Sequence, residues 1–278
     1  MLYAGAGTRD PSFVESMRRR LVIEEPPSRL AYVSFWLVLF ALAVALIVLV
    51  LVRGDLIEAV PGAVAMGAAA ALATLGVLLA LAAFVVIWVN GNPGLRRAVF
   101  AFVFGSVVAA YPVYLAANGY RQPAIADITT NPEDPPRFEL IARLRPPTAN
   151  PTAYPGAETA RQQRAAYPEI VPLAVAAPPE DVYAATLAVV GRQGWTVVQA
   201  RPFQPGRREG HIEAVARTPL MGFRDDVVVR VRAGGEGAVI DIRSASRYGR
   251  HDLGSNAARI RSLSDAIEEE LSSQPAAE

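Results

Sequence analysis

Residues Leu30 to Val52 read LAYVSFWLVLFALAVALIVLVLV, 23 positions without a charge, and this stretch decides the class of the protein. About 20 apolar residues in a helix cross the roughly 30 Å hydrocarbon core of a bilayer, and a soluble core helix needs far fewer. The pattern repeats downstream. Ala59 to Leu95 adds 37 uncharged residues, within which Val60 to Val89 is one further span, longer than required and so expected to tilt. Ala98 to Ala117 is the third, with Pro112 inside it as an expected kink. The first run is too long, and too closely followed by others, for a cleaved signal peptide.

Arginines on either side of these runs give an orientation. Arg9, Arg18, Arg19, Arg20 and Arg29 precede the first span and Arg53 alone follows it. Arg96 and Arg97 precede the third and Arg121 alone follows. Because positively charged loops stay on the cytoplasmic side, residues 1–29 read as a cytoplasmic segment, 30–117 as the transmembrane region, and everything beyond as periplasmic or extracellular if the host is a bacterium, with the spans in its inner (plasma) membrane. Gly62, Ala63, Gly67, Ala71, Gly76 and Ala80 make the second span rich in small residues. That favours packing among the chain's own helices over an oligomer interface. With no carboxylate, imidazole or guanidinium inside any span, an ion pathway is not indicated.

Composition removes much chemistry. In 278 residues, with a mean hydropathy of +0.26, there is no cysteine, hence no disulfide or thiolate metal site, and only His211 and His251 supply imidazole. All 27 basic residues are arginine, which excludes a lysine Schiff base and a P-loop lysine. From Asn118 to Glu278 there are 19 arginines against 20 acids, so nothing in the charge attracts nucleic acid. No cofactor and no metal site are expected. The partners indicated are the lipid bilayer, an anionic small molecule or headgroup, and a second membrane protein.

Residues 118–169 read as a Pro-rich linker and extended segment. Twelve prolines fall between Arg121 and Pro179, which forbids a long helix there. Asp127 to Phe138 reads as an extended piece laid on the following domain, and Asn150 to Ala166 as loosely held. A globular pattern then occupies 170–278. It comprises a strand at Ile170 to Val175, a helix opened by Pro178-Pro179 with Glu180 and Asp181 in its first turn, strands at Trp195–Gln199, Gly210–Arg217, Asp226–Ala233 and Ala238–Arg247, and a helix from Ser255 to Leu271. The fold class is α+β: three N-terminal transmembrane helices, then a small antiparallel sheet with helices packed on one face.

Gly234-Gly235-Glu236-Gly237 makes the last two strands a hairpin, with Ala233 opposite Ala238. Val227, Val229, Val231, Ile240, Ile242 and Ser244 then share a core face. The opposite face carries Asp226, Arg230, Arg232, Asp241, Arg243 and Arg247 and reads as a charged surface. Arg243, Arg247, Arg250 and Arg259 surround the loop into the last helix, whose first N–H groups lack helical partners. Together with Asp226, Asp252 and Ser255 they form the candidate site for an anion. The competing reading has the aspartates neutralising these arginines and Asp252 or Ser255 capping the helix. A hydrolase using Asp226, Asp252 or His251 is an alternative, though Asp225 and Asp226 face opposite ways and no Gly-x-Ser-x-Gly elbow surrounds Ser244 or Ser246. Purely structural service in a membrane complex is a third. His211 reads as a solvent-facing strand residue, Trp195 as core, and Arg207-Arg208 as a basic turn.

Several blocks in order carry a resemblance: Asp127-Ile-Thr-Thr130, Asp134-Pro-Pro-Arg-Phe138, Arg217-Thr-Pro-Leu-Met-Gly-Phe-Arg-Asp-Asp226, and Arg243-Ser-Ala-Ser-Arg-Tyr-Gly-Arg-His-Asp-Leu-Gly254. Over about residues 124 to 272 the chain resembles the domain-of-unknown-function 1499 family. The resemblance implies a domain often preceded by membrane spans; it implies no substrate, cofactor or activity.

Overall fold

The computed structural model describes residues 26–204, 208–235 and 237–273. The arginines expected to hold the amino terminus in the cytoplasm at positions 9 and 18–20, and Arg207 of the basic turn, lie outside them. The first three helices are α1 (Arg29–Arg53), α2 (Ala59–Asn90) and α3 (Leu95–Gly119), each long and apolar enough to cross a membrane. Pro112 lies within α3.

The chain divides into two compact units, Met1–Val44 with Ala68–Ala109, and Ala45–Gly67 with Ala110–Glu278. In the first unit the helices meet through small side chains. Ala31, Ala83 and Ala98 form one buried contact group, and Val38, Ala80 and Ala101 another. Gly76 explains its own identity: a Cβ there would sit 2.4 Å from Val38 Cγ2. Gly67 has open space around it, so the small-residue pattern of α2 serves helix packing at some positions and not at others.

In the second unit a six-stranded antiparallel sheet forms from β1 (Asp127–Thr129), β2 (Leu173–Val175), β3 (Thr196–Arg201), β4 (Glu209–Arg217), β5 (Arg224–Gly234) and β6 (Gly237–Ser246). The order is β1-β6-β5-β4-β3, with β2 also paired to β6. Ala233 pairs with Ala238 and Val229 with Ile242, the register expected from the sequence. Helices α6 (Pro179–Arg192) and α7 (Ser255–Ser273) cover one face, where Val182, Val189, Ile212, Val227, Val229, Ile240, Ile242, Ile260, Leu263 and Ile267 make the core.

The other face differs from expectation. Instead of meeting solvent, it is roofed by residues 130–155 and the single-turn helix α4 (Leu140–Leu144). Phe138 and Ile141 close on Val228 and Ala245, with Val215 alongside. The segment expected to be loosely held is also anchored: Asn150 donates from its side chain to the carbonyls of Ser246 and Gly249 and from its backbone to that of Arg247. Helix α5 (Ala157–Ala166) places Gln163 against β1, where its amide donates to Thr129 O and accepts from Thr129 N. Proline prevents long helix here, but it does not prevent docking, because the backbone polar groups find partners on the sheet edge.

Candidate functional site

The four arginines expected to ring one loop occupy separate places. Arg243 is 1% exposed and lies on the roofed face. Its Nε and Nη2 donate to Asp127 at 2.9 and 2.7 Å, and its remaining donors reach the carbonyls of Pro136 and Thr152. The rings of Phe138 and Tyr154 stack near its guanidinium at 4.7 and 5.6 Å. Burial pushes the Asp127 carboxyl up and the Arg243 guanidinium works against that shift.

Arg247 is on the same face, bound through Nε and Nη2 to Asp226. Asp226 is fully buried and shared: Arg145 Nε donates to its Oδ2 at 2.6 Å. Two guanidiniums on one carboxylate leave the trio with a surplus positive charge. A third ionic group on this face joins Asp241 to Arg230 and Arg232 at 2.8 and 2.9 Å. Each arginine of these three groups has an aspartate partner, Asp226 and Asp241 each being shared by two.

Arg259 faces the helical side. It donates to Asp225 at 2.6 Å, to Ser244 Oγ at 2.8 Å and to Asn256 Oδ1 at 2.6 Å. Ser246 accepts from Asn256 Nδ2, so both strand serines are consumed in the network that ties β6 to α7. Asp252 caps α7, accepting from the N–H groups of Gly254 and Asn256 at 3.0 and 2.8 Å. Burial, opposed by those N–H groups, raises its pKa. Ser255 opens the helix and its N–H donates to Asp252 O.

His251 has both ring nitrogens engaged. Leu253 N–H donates to Nδ1 at 3.0 Å, so Nε2 carries the proton and donates to Gly119 O at 2.9 Å. Leu253, which makes this bond, lies in the left-handed region at φ 56°. Neither Asp226 nor Asp252 is paired with it in the manner of an acid–base couple.

Arg250 is exposed and makes no ion pair among the described residues. It stands at the edge of a cleft of about 480 Å³ between the Pro-rich segment and the end of β6, lined also by Ile125, Asp127, Asn150, Tyr154 and Ser246. The Tyr154 ring lines it, and the Tyr154 hydroxyl is buried with no hydrogen-bond partner among the described residues. Burial, followed by the Asp127 charge, pushes the Tyr154 phenol up to about 12, so it stays a proton donor at neutral pH.

One buried pair was not anticipated. His211, read as solvent-facing, is 3% exposed, and its Nε2 lies 2.9 Å from Glu213 Oε1. Glu213 in turn accepts from the N–H groups of Glu139, Leu140 and Ile141, which open α4. Burial alone would raise its carboxyl, but His211 and the backbone donors outweigh it and hold it below the usual carboxylate value. The reason is the roof: a strand residue pointing away from the helices is solvent-facing only if nothing covers that face.

These features define an α+β domain whose sheet is sandwiched between two helices and a proline-rich cover, in a chain that also carries three helices long and apolar enough to cross a membrane. Residues 127–267 match the family described as Protein of unknown function (DUF1499), half of the chain, and the chain belongs to that family. The match begins at β1 and ends within α7, leaving the three long apolar helices outside it. A search of curated proteins finds no match to the chain.

Proposed function

We propose that the protein is a multi-pass membrane protein of a bacterial inner membrane. Its amino terminus stays in the cytoplasm, and its carboxyl-terminal domain, on the periplasmic or extracellular side, is a non-catalytic module that binds an anionic ligand. The arginine bias in the sequence supports the orientation. So do two contacts inside the second unit: Asp55, in the turn between α1 and α2, pairs with Arg217 and Arg224, and Gly119 at the end of α3 accepts from His251. Three spans require those chain ends to share one side with the domain.

The observation that carries the binding reading is the 480 Å³ cleft, within the roughly 300–1,000 Å³ of small-molecule sites, with the exposed Arg250, which has no ion pair among the described residues, on its lining. A guanidinium is a donor for an anion's oxygens. A non-catalytic role is supported by where the candidate acids and base spend their atoms: Asp226 on two arginines, Asp252 on a helix end, His251 on two backbone groups. Neither Arg243 nor Arg247 lines this cleft, which leaves Arg250 as the contact residue.

The test is a thermal-unfolding titration of the full chain in phosphatidylcholine nanodiscs with inorganic phosphate, a nucleoside monophosphate and a hexuronate. At ten times its Kd a ligand of the folded state adds about 1.4 kcal/mol of stability. The expected result is stabilisation by at least one probe, lost in Arg250→Ala. Stabilisation by none, or an unchanged response in Arg250→Ala, overturns the reading.

A further inference from the structure

A second cleft lies within the unit formed by Ala45–Gly67 and Ala110–Glu278, apart from Arg250 and Tyr154. Its volume is about 270 Å³. On one side it is lined by Val52, Asp55, Leu56, Ile57 and Glu58, the last turn of α1 and the turn into α2. On the other it is lined by Phe223, Arg224, Arg247 and Tyr248. Since α1 ends at Arg53 and α2 starts at Ala59, these residues stand where the two spans leave hydrocarbon for headgroups.

The charges there do not cancel. Arg145 and Arg247 share Asp226, and Arg217 and Arg224 share Asp55, so each trio carries one surplus positive charge. The exposed Glu58 offsets only one of the two. Arg247 is 6% exposed, spends Nε and Nη2 on Asp226, and has no hydrogen bond on Nη1 among the described residues. Held in place by Asp226 and lining the cleft, this guanidinium keeps one donor pair free for the oxygens of an entering anion. The opposite wall presents Val52, Leu56 and Ile57 beside Asp55, which is held by its two arginines, and Glu58, and Leu56 is 70% exposed.

We propose that this cleft holds the phosphate of an anionic phospholipid. The phosphodiester oxygens accept from Arg247 Nη1 and Arg224, and the acyl chains leave past Leu56 and Val52 along the spans. A volume just below that of ordinary small-molecule sites suits a headgroup and not a whole lipid. Guanidinium is the side chain best matched to phosphate oxygens. The lipid would lie against the turn that joins the spans to the domain, at the contacts where Arg53 Nη1 donates to the carbonyls of Pro219 and Leu220.

The experiment uses the full chain carrying Arg250→Ala, which removes the contact residue of the other cleft. Purified protein is exchanged into nanodiscs of phosphatidylcholine with and without phosphatidylglycerol, and co-purifying lipid is counted by native mass spectrometry beside thermal unfolding. The expected result is one retained phosphatidylglycerol and a higher Tm in its presence, with affinity falling about tenfold or more in Arg224→Gln while circular dichroism stays unchanged. Asp55→Asn separates binding from docking: it breaks the same ion pairs yet leaves the cleft more positive, so phosphatidylglycerol is retained. Loss of the lipid in Asp55→Asn as complete as in Arg224→Gln overturns the proposal, as does retention in Arg224→Gln. Equal stabilisation by inorganic phosphate in phosphatidylcholine discs assigns the site to a free anion and overturns the lipid assignment. These variants leave Arg250 chemistry out, so failure here and failure of the binding reading above are distinguishable.

Discussion

Asp226→Asn removes the one negative charge between two buried guanidiniums, with side chains 4% and 8% exposed around a fully buried carboxylate. The asparagine keeps a single acceptor oxygen where the carboxylate accepts from Arg145 Nε, Arg247 Nε and Arg247 Nη2. Breaking a buried ion pair by deleting one partner costs about 3–5 kcal/mol, since the abandoned charge cannot be rehydrated. A domain has a total stability of only about 5–15 kcal/mol. With roughly 2–4 °C of Tm per kcal/mol for a domain of this size, the expected fall is about 6–20 °C. The comparison variant is Asp134→Asn, whose carboxylate is 73% exposed beside Arg230; an exposed pair contributes about 0–1 kcal/mol. Both are measured as full-length chains by the loss of near-ultraviolet circular dichroism on heating. An Asp226→Asn fall no larger than that of Asp134→Asn would refute the claim that the ionic layer under the proline-rich cover is a structural support.

Two further outcomes rest on the same cover. Glu213 has a depressed carboxyl, so its hold on α4 is present above the unfolded-chain value and is lost as pH falls through its lower folded value. The protection factors of the Glu139 to Ile141 amides, exchange relative to the intrinsic rate at each pH, therefore fall in wild type once pH drops below the usual carboxylate range, and are already low at neutral pH in Glu213→Gln; pH-independent protection in wild type contradicts this. Gly237→Ala brings a Cβ to 2.1 Å from Val175 O and 2.9 Å from Ala177 N, both backbone atoms that cannot swing aside, and costs about 1–3 kcal/mol or more. Gly67→Ala, with open space around it, leaves Tm unchanged.

The spans, the two packing helices and the hairpin register were readable because each follows one dominant physical signal: uncharged length, a spacing of three and four residues, and alternation about a glycine turn. Asp225 falling opposite Ser246 on the helical side follows from that register alone. The cover was harder. Its backbone is held by scattered side chains such as Asn150, Gln163 and Glu213, each reaching across many residues of sequence, and no local periodicity encodes such contacts. A signal for it does exist in β5. Val227, Val228 and Val229 run apolar without alternation, the mark of a strand buried on both faces. With that read, Arg243 and Arg247 become interior groups needing carboxylates, and His211 an interior imidazole. Asp55 could not be found from sequence, because one acid in a short turn gives no hint of the two arginines it meets in the domain.

The claim on which the functional reading rests is that the odd number of spans carries the domain to the side opposite the amino terminus. The chain has no cysteine, so single-cysteine labelling reports on it directly. Ser12→Cys and Arg250→Cys are produced separately and exposed to a membrane-impermeant maleimide on intact spheroplasts, then after lysis. The account predicts that Arg250→Cys is labelled before lysis and Ser12→Cys only after it. Labelling of Arg250→Cys only after lysis, or of both residues before it, contradicts the account.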